Sequence, residues 1–303
     1  MGWPRDALER LALSLHWTLD RPVVFVLGLP RSGTTLVYQY LVHRLDVAYW
    51  TNGVGLHPRA PVVTTWLERR RGPYRSDFRS RYGKVEGATA PREAGSVWGR
   101  FFDLERPTRL EELRPGDAER LRNLVAATQR IFGGAPFVNK NVKHMLRVDA
   151  LARIFPEALF LVVRRRVQDT ALSILRARVA THDPKRWWSV RTPNWERLLA
   201  LPLEEQVAAQ VRGLRRQLGV DLSAVARERV LQLDYERFCR EPDAALGPLR
   251  RMLGALGERN APAGPFAAVH HVPADACERR LLDLLADAEA HAHPPETGRS
   301  GGA

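Results

Sequence analysis

The sequence predicts a three-layer α/β fold, a central parallel β-sheet flanked by helices on both faces. Two observations carry that expectation. Three short runs, PVVFVLG at 22–28, ALFLVVR at 158–164 and VLQLDY at 230–235, are rich in Val, Leu and Phe, and the first two are almost wholly apolar. That is the pattern of a strand buried on both faces. Segments with helical apolar spacing separate them, and strands that alternate with helices pair in parallel.

Taken in order, the N-terminal MGWPRDALERLALSLHWTLDRP carries acids and no clean apolar stretch. It reads as an amphipathic helix packed on the domain, not a signal peptide. After the first strand a glycine-rich turn leads into a helix near 33–45. Residues 50–95 have poor periodicity and many Pro, Gly, Arg and Trp, and read as loops and short helices, an insertion facing substrate. A helix near 117–132 leads to a short strand near 136–139, a helix over 144–154, the strand at 158–164 and a helix over 167–180. Residues 181–200 are loop-like and Trp-rich. Val207, Val211, Leu214 and Leu218 mark a helix over 203–219. The strand VLQLDY follows, then a helix over 243–256. We expect a single domain over 1–288 and a disordered tail over 289–303.

Composition narrows the function. The 303 residues include 45% hydrophobic and 27% charged ones, ordinary for a globular chain. Cys239 and Cys277 are too few for a disulfide framework, and no Cys/His spacing fits zinc, so no metal ligand is expected. No apolar run reaches the length that crosses a bilayer, which fits a cytoplasmic protein. A formal charge of +13, nearly all from arginine, favours partners bearing phosphate or sulfate.

Gly28-Leu29-Pro30-Arg31-Ser32-Gly33-Thr34-Thr35 follows the first strand and opens the first helix. Its two glycines have the spacing of a phosphate loop, in which successive backbone N–H groups and a helix N-terminus converge on one anion. The lysine of the Walker motif is replaced by Thr34, and a basic residue, Arg31, stands inside the loop instead. Glycines also make ordinary strand-to-helix turns, but the strand, the basic residue and the tandem threonines occur here together.

PRSGTT after a hydrophobic strand resembles the 5′-phosphosulfate loop of the sulfotransferases that use 3′-phosphoadenylyl sulfate (PAPS), in particular a broad bacterial branch. The resemblance implies a P-loop-type fold, with Pro30, Arg31, Ser32, Gly33, Thr34 and Thr35 around the donor. In VVRRRVQDTALS, Arg165 and Ser173 match the family's 3′-phosphate motif, an arginine at a strand end and a serine eight residues on. The arginine clamps the phosphate in a bidentate way. The motif's usual Asp-Pro is absent, with Arg166-Val167 in its place, and Arg164 and Arg166 stand beside Arg165 as rival ligands. FVNKNVKH resembles the family's strand-end lysine segment, with Lys140 at the lysine. LDYERF resembles its Tyr-Glu segment, which sets Tyr235 against the nucleotide.

Sulfuryl transfer depends on positioning and on charge stabilisation at the bridging oxygen, and Arg31 and Lys140 are the candidates for that charge. The acceptor's proton needs a base. Glu93, in APREAGSVW, resembles a glutamate upstream of a Trp in this branch, with His144 and His57 as alternatives and Glu86 behind them. The base glutamate of the tyrosylprotein enzymes has no counterpart, since Tyr49-Trp50-Thr51-Asn52 stands there. The acceptor, a small molecule or glycan, is not legible. Trp50, Trp66, Trp98, Trp187, Trp188 and Trp195 are available to stack on a sugar or an apolar ring, or to pack. No specific nucleic-acid partner is expected. Two other readings stand beside this one. In the first, a nucleotide kinase or NTPase, Asp234 at a strand end serves as metal ligand. The second is a nucleotide- or polyanion-binding protein without catalysis.

Overall fold

The computed structural model describes residues 3–181 and 186–292. In chain order the elements are α1 Trp3–Leu13, β1 Val23–Leu27, α2 Thr34–Arg44, α3 Pro61–Arg69, α4 Gly95–Trp98, α5 Asp117–Ile131, β2 Phe137–Lys140 and α6 Val148–Ile154. There follow β3 Leu159–Arg164, α7 Val167–Ala180, α8 Trp195–Leu198, α9 Leu203–Ser223, β4 Val230–Asp234, α10 Tyr235–Arg240, α11 Pro242–Ala245, α12 Gly247–Leu253 and α13 Ala276–Ala292. The chain divides into two compact units, Met1–Arg165 with Leu214–Ala268, and Arg166–Gly213 with Val269–Ala303.

The first unit holds the sheet, ordered β2-β1-β3-β4 and parallel throughout. Val26 is in register with Lys140, Leu27 with Val162, and Arg164 with Asp234. The C-terminal ends of all four strands therefore share one edge. From β1 the chain crosses to one side for β2 and returns to the other for β3, so that edge has a topological switch point beside β1, where open α/β sheets take their ligands.

β1 is apolar because both its faces are covered, and all five of its residues are buried. Phe25 lies at the centre of an aromatic core, with ring centroids 5.3 Å from His144, 5.7 Å from Phe155, 5.8 Å from Phe160 and 6.0 Å from Trp98. Asn139 of β2 satisfies two donors in that core, Trp98 Nε1 at 3.0 Å and His144 Nε2 at 2.9 Å. Trp50 Nε1 donates to Thr128 Oγ1 at 2.9 Å. Trp50 and Trp98 are thus interior residues, 0% exposed, and unavailable for stacking on an acceptor. Their indole N–H groups are buried at no cost because each has its acceptor.

In the second unit α7 spans the expected 167–180. Arg176 on α7 pairs with Glu278 on α13 at 2.7 Å, and Asp169 accepts from the His271 backbone N–H at 2.6 Å. Trp187 is buried, its Nε1 donating to the Val190 carbonyl at 2.9 Å.

Three expected elements differ. The helix anticipated over 243–256 is broken into α11 and α12, because Pro242 and Pro248 each sit in a first helical turn. A proline has no N–H to give and its ring clashes with the preceding turn, so each one starts a helix anew. The helix anticipated over 144–154 opens as a 3₁₀ turn at Val142–Leu146, and α6 begins only at Val148. Residues 289–292, assigned to the tail, are the end of α13, whose Leu281 and Leu285 are buried four residues apart. The rest of that tail lies outside the described residues.

Candidate active site

The loop after β1 is shaped by close approach. A β-carbon at Gly28 would stand 2.6 Å from Ser32 Oγ and 2.9 Å from the Val163 carbonyl of β3. Gly33, at φ 91°, caps α2 in the left-handed region with no side-chain hydrogen bond to the helix N-terminus. The first N–H groups of α2 thus carry their partial positive charge without a side-chain cap. Arg31 also has positive φ, 68°. Ser32 Oγ is buried and has no hydrogen-bond partner among the described residues. An unsatisfied buried hydroxyl costs about 1–3 kcal/mol, so this one is poised for an external partner.

Lys140, the last residue of β2, has a side chain only 3% exposed. Its ammonium donates to Thr35 Oγ1 on α2 at 3.1 Å and forms an ion pair with Glu93. The pairing closes a loop of 47 residues in sequence. Gly83 lies over this group, since a β-carbon there would stand 3.4 Å from Glu93 Oε1 and 3.6 Å from Lys140 Nζ. It belongs to a two-residue turn, closed by paired backbone bonds between Arg81 and Lys84, in which Tyr82 and Gly83 both have positive φ. Tyr82 brings its ring to 5.7 Å from the Arg31 guanidinium. Sequence reasoning missed this turn. Gly83 is its one local signal, and nothing nearby in sequence indicates which residues it covers.

At the ends of β3 and β4 the three arginines part. Arg164 donates to Gln232 Oε1 of β4 at 2.7 Å. Arg165 turns to the loop and donates to the Arg31 carbonyl at 2.9 Å, its guanidinium 5.2 Å from the centre of the Tyr235 ring. Arg166 opens the second unit, where it faces His270 at 3.3 Å. The Tyr235 ring packs against Gly33, filling the space a β-carbon would take. Burial pushes the Tyr235 phenol up. Burial, and next the charge of Arg165, push the Arg31 guanidinium down from its usual range. The two cations lie close enough across this partly buried loop for each to disfavour the other's charge.

Of the residues anticipated from sequence, Arg31, Thr35, Glu93, Lys140, Arg165 and Tyr235 gather in the first unit along the C-terminal edge of the sheet. Pro30, Ser32 and Thr34 are buried within the loop itself. Ser173 is buried on α7 in the second unit. His57 is half-buried and, just past the 3₁₀ turn Asn52–Gly55, its backbone N–H donates to the Gly53 carbonyl at 3.1 Å. Glu86 is exposed. His144 is 0% exposed in the aromatic core. Burial drives its imidazole well below the usual histidine range, so it is a neutral core residue that bonds Asn139. Asp234, which the NTPase reading uses as a metal ligand, N-caps α10 by accepting from the Arg237 N–H at 2.6 Å.

The family model described as "Sulfotransferase family" matches residues 22–258, the span from β1 to just past α12. The chain belongs to the sulfotransferase family. Among curated relatives of this chain are omega-hydroxy-beta-dihydromenaquinone-9 sulfotransferases of Mycobacterium bovis and Mycobacterium tuberculosis. Each is 24% identical over 261 residues, covering 78% of this chain and 63% of the relative. The chain thus spans somewhat less than two thirds of the length of those proteins. The crystal structure of a sulfotransferase from Mycobacterium avium matches 95% of this chain and 72% of its own at a TM-score of 0.52 and 16% identity, a likeness of fold. Among the described residues no helix is long and apolar enough to cross a membrane.

Proposed function

We propose that this chain transfers a sulfuryl group from PAPS to a hydroxyl or amine of a small-molecule or glycan acceptor, by in-line displacement that draws its charge stabilisation from side chains rather than a metal. The observation that carries the reading is the position of the buried Lys140, which contacts both Thr35 of the helix after β1 and the part-exposed acid Glu93. Membership of the sulfotransferase family supports it.

The residues fit an adenosine bisphosphate donor. The uncapped N-terminus of α2 and the buried Ser32 hydroxyl suit a phosphate. Arg165 and Tyr235 stand together where a nucleotide could meet a cation and a ring. Bound there, the donor supplies the sulfuryl group and a bridging oxygen that gains negative charge as the sulfur–oxygen bond breaks. Lys140 and Arg31 hold positive charge for that oxygen, fixed before the reaction and so without reorganisation cost. Glu93 takes the acceptor's proton. Of the four bases considered, Glu93 is the one paired to Lys140, whereas His144 is sealed in the core. The name of the curated relatives supports an acceptor that carries its hydroxyl on an apolar body.

Titration with 3′-phosphoadenosine 5′-phosphate in the presence of a chelator, beside transfer of labelled sulfate from PAPS, tests the reading. Binding without divalent metal is expected. Absence of binding in chelator, with magnesium-dependent binding of ATP instead, would favour the kinase reading and overturn this one.

A further inference from the structure

Two asparagines bracket Lys140 in the chain, Asn139 within β2 and Asn141 just past its end. Asn141 keeps an extended backbone, with φ −143° and ψ 122°. Alternation along an extended chain therefore puts both amides on one face and the Lys140 side chain on the other. The Lys140 ammonium pairs with Glu93, which arrives from an irregular segment. A glutamate side chain has many rotamers, so its carboxylate takes one position only if its backbone is held first.

The two amides hold that backbone. Asn139 Nδ2 donates to the Arg92 carbonyl and Asn141 Nδ2 to the Glu93 carbonyl, each at 3.3 Å. Both asparagines are buried, at 0% and 3% exposure. The Arg92 N–H is taken as well, by the Trp50 carbonyl at 2.9 Å. Ala94 is buried with φ 51° and ψ 41°. A residue with a β-carbon keeps that left-handed conformation only where its surroundings over-determine it. The chain thus turns sharply just after Glu93, and the two carbonyls before the turn are fixed by the neighbours of Lys140.

Asn141 Oδ1 has a second partner. It accepts from the Lys143 N–H at 2.9 Å and so caps the 3₁₀ turn after β2. These partners also orient the amide, because an N–H can only donate and a carbonyl can only accept. One side chain therefore ties the end of β2 to the turn through its oxygen and to Glu93 through its nitrogen. Aspartate or serine would keep the oxygen and lose the donor.

We propose that Asn141, seconded by Asn139, is a positioning residue that sets the Glu93 carboxylate against the Lys140 ammonium and keeps it there during transfer. The inference rests on the reading of Glu93 as the acceptor's base. A carboxylate held by the ion pair alone would be released as Lys140 turns its charge to the bridging oxygen. One held through its backbone stays within reach of the acceptor, which is what a base requires.

The test is zero-length cross-linking with a water-soluble carbodiimide, which joins a carboxylate to an amine only where the two are in contact. Mass spectrometry of the digested chain locates the links, and only Lys84, Lys140, Lys143 and Lys185 supply lysine amines. The parent is expected to give a Glu93–Lys140 link and, from the neighbouring ion pair, a Glu105–Lys143 link. Asn141→Ser and Asn141→Asp keep the cap, so both should melt near the parent temperature and bind 3′-phosphoadenosine 5′-phosphate as the parent does. Both should lose most of the Glu93–Lys140 link and retain the Glu105–Lys143 link. In transfer of labelled sulfate from PAPS to decanol, Asn141→Ser should lower kcat by about tenfold or more with KM for PAPS nearly unchanged. In a Glu93→Gln background it should cost nothing further. A full Glu93–Lys140 link in Asn141→Ser overturns the proposal, and so does a parent chain that gives none. Loss of both links together, or a large fall in melting temperature, would make Asn141 a residue of the fold and overturn it too. Selective loss of the Glu93–Lys140 link with undiminished transfer would uphold the placement and instead overturn the reading of Glu93 as base.

Discussion

The aromatic ring of Tyr235 occupies the space that a β-carbon on Gly33 would need. The residue that caps α2 and the residue that follows β4 thus exclude any side chain between them. Gly33→Ala meets both this clash and a φ of 91°. We expect it to abolish measurable binding of the bisphosphate nucleotide. Tyr235→Ala should remove the clash but leave the strained φ and open the ring's site. Gly33→Ala/Tyr235→Ala is therefore expected to recover stability in thermal denaturation without recovering parent affinity. A Gly33→Ala enzyme with parent affinity would show that the loop does not hold the donor.

Lys140 is expected to act mainly in the transition state, because the bridging oxygen acquires its charge only as the bond to sulfur breaks. Lys140→Ala should lower single-turnover transfer by about a hundredfold, the scale for loss of one preorganised donor. Affinity for the bisphosphate product should change far less. Equal loss of both would make Lys140 a ground-state phosphate ligand.

Glu93→Gln should likewise reduce transfer while sparing nucleotide titration, since the role proposed for Glu93 is at the acceptor. It also leaves the Lys140 ammonium without its carboxylate, so the donor-binding measurement doubles as a check that Lys140 keeps its place. Undiminished turnover would move the base elsewhere, to His57 before the buried His144.

Arg165, whose guanidinium reaches both the Arg31 carbonyl and the Tyr235 ring, should weaken bisphosphate binding by about 1.5–3 kcal/mol when replaced by alanine. Arg164→Ala should leave affinity near the parent value, because Arg164 is spent on Gln232. Isothermal titration of the two variants side by side decides between the arginines, and the reverse order would mean that the motif is read in the wrong register.

Glu9 supplies a test in pH. Burial pushes its carboxyl up to about 7, against 4.5 for the ordinary glutamate, with the Val62 and Val63 N–H groups pulling the other way. Between about pH 4.5 and 7 the folded chain therefore holds a proton that the unfolded chain has released. Stability from this group is full below 4.5 and falls as pH rises to about 7, by up to about 3 kcal/mol. Glu9→Gln should remove that slope in chemical denaturation measured across the window. His144, held neutral by burial, acts in the opposite sense below its ordinary range, so the difference between parent and variant is the clean readout. A difference that did not vary with pH would contradict the shift.

Much of the fold was legible before any coordinates. The two-sided burial of β1 and β3 requires unbroken apolar runs, and such runs are visible locally. The loop from Gly28 to Thr35 declares itself because its glycines answer to backbone geometry, a property of one short segment. A helix expected over about 167–180 is α7. Where the sequence misled, tertiary context had the final word. Trp50 and Trp98 carry the same chemistry whether they stack on a ligand or fill a core, and only their burial against Phe137 and Phe25 decides. His144 became a core residue for the same reason. Three adjacent arginines are indistinguishable as letters. The tertiary structure decided that Arg165 meets the Arg31 carbonyl while Arg164 meets Gln232, since that depends on which way the chain turns as it leaves β3. Glu93 and Lys140 come together across 47 residues because β2 lies beside β1, and no local propensity encodes that distance. Residue types and short-range spacing determined which elements could form and which chemistry was on hand. The packing of the sheet and of the loops over its edge determined which of those side chains meet.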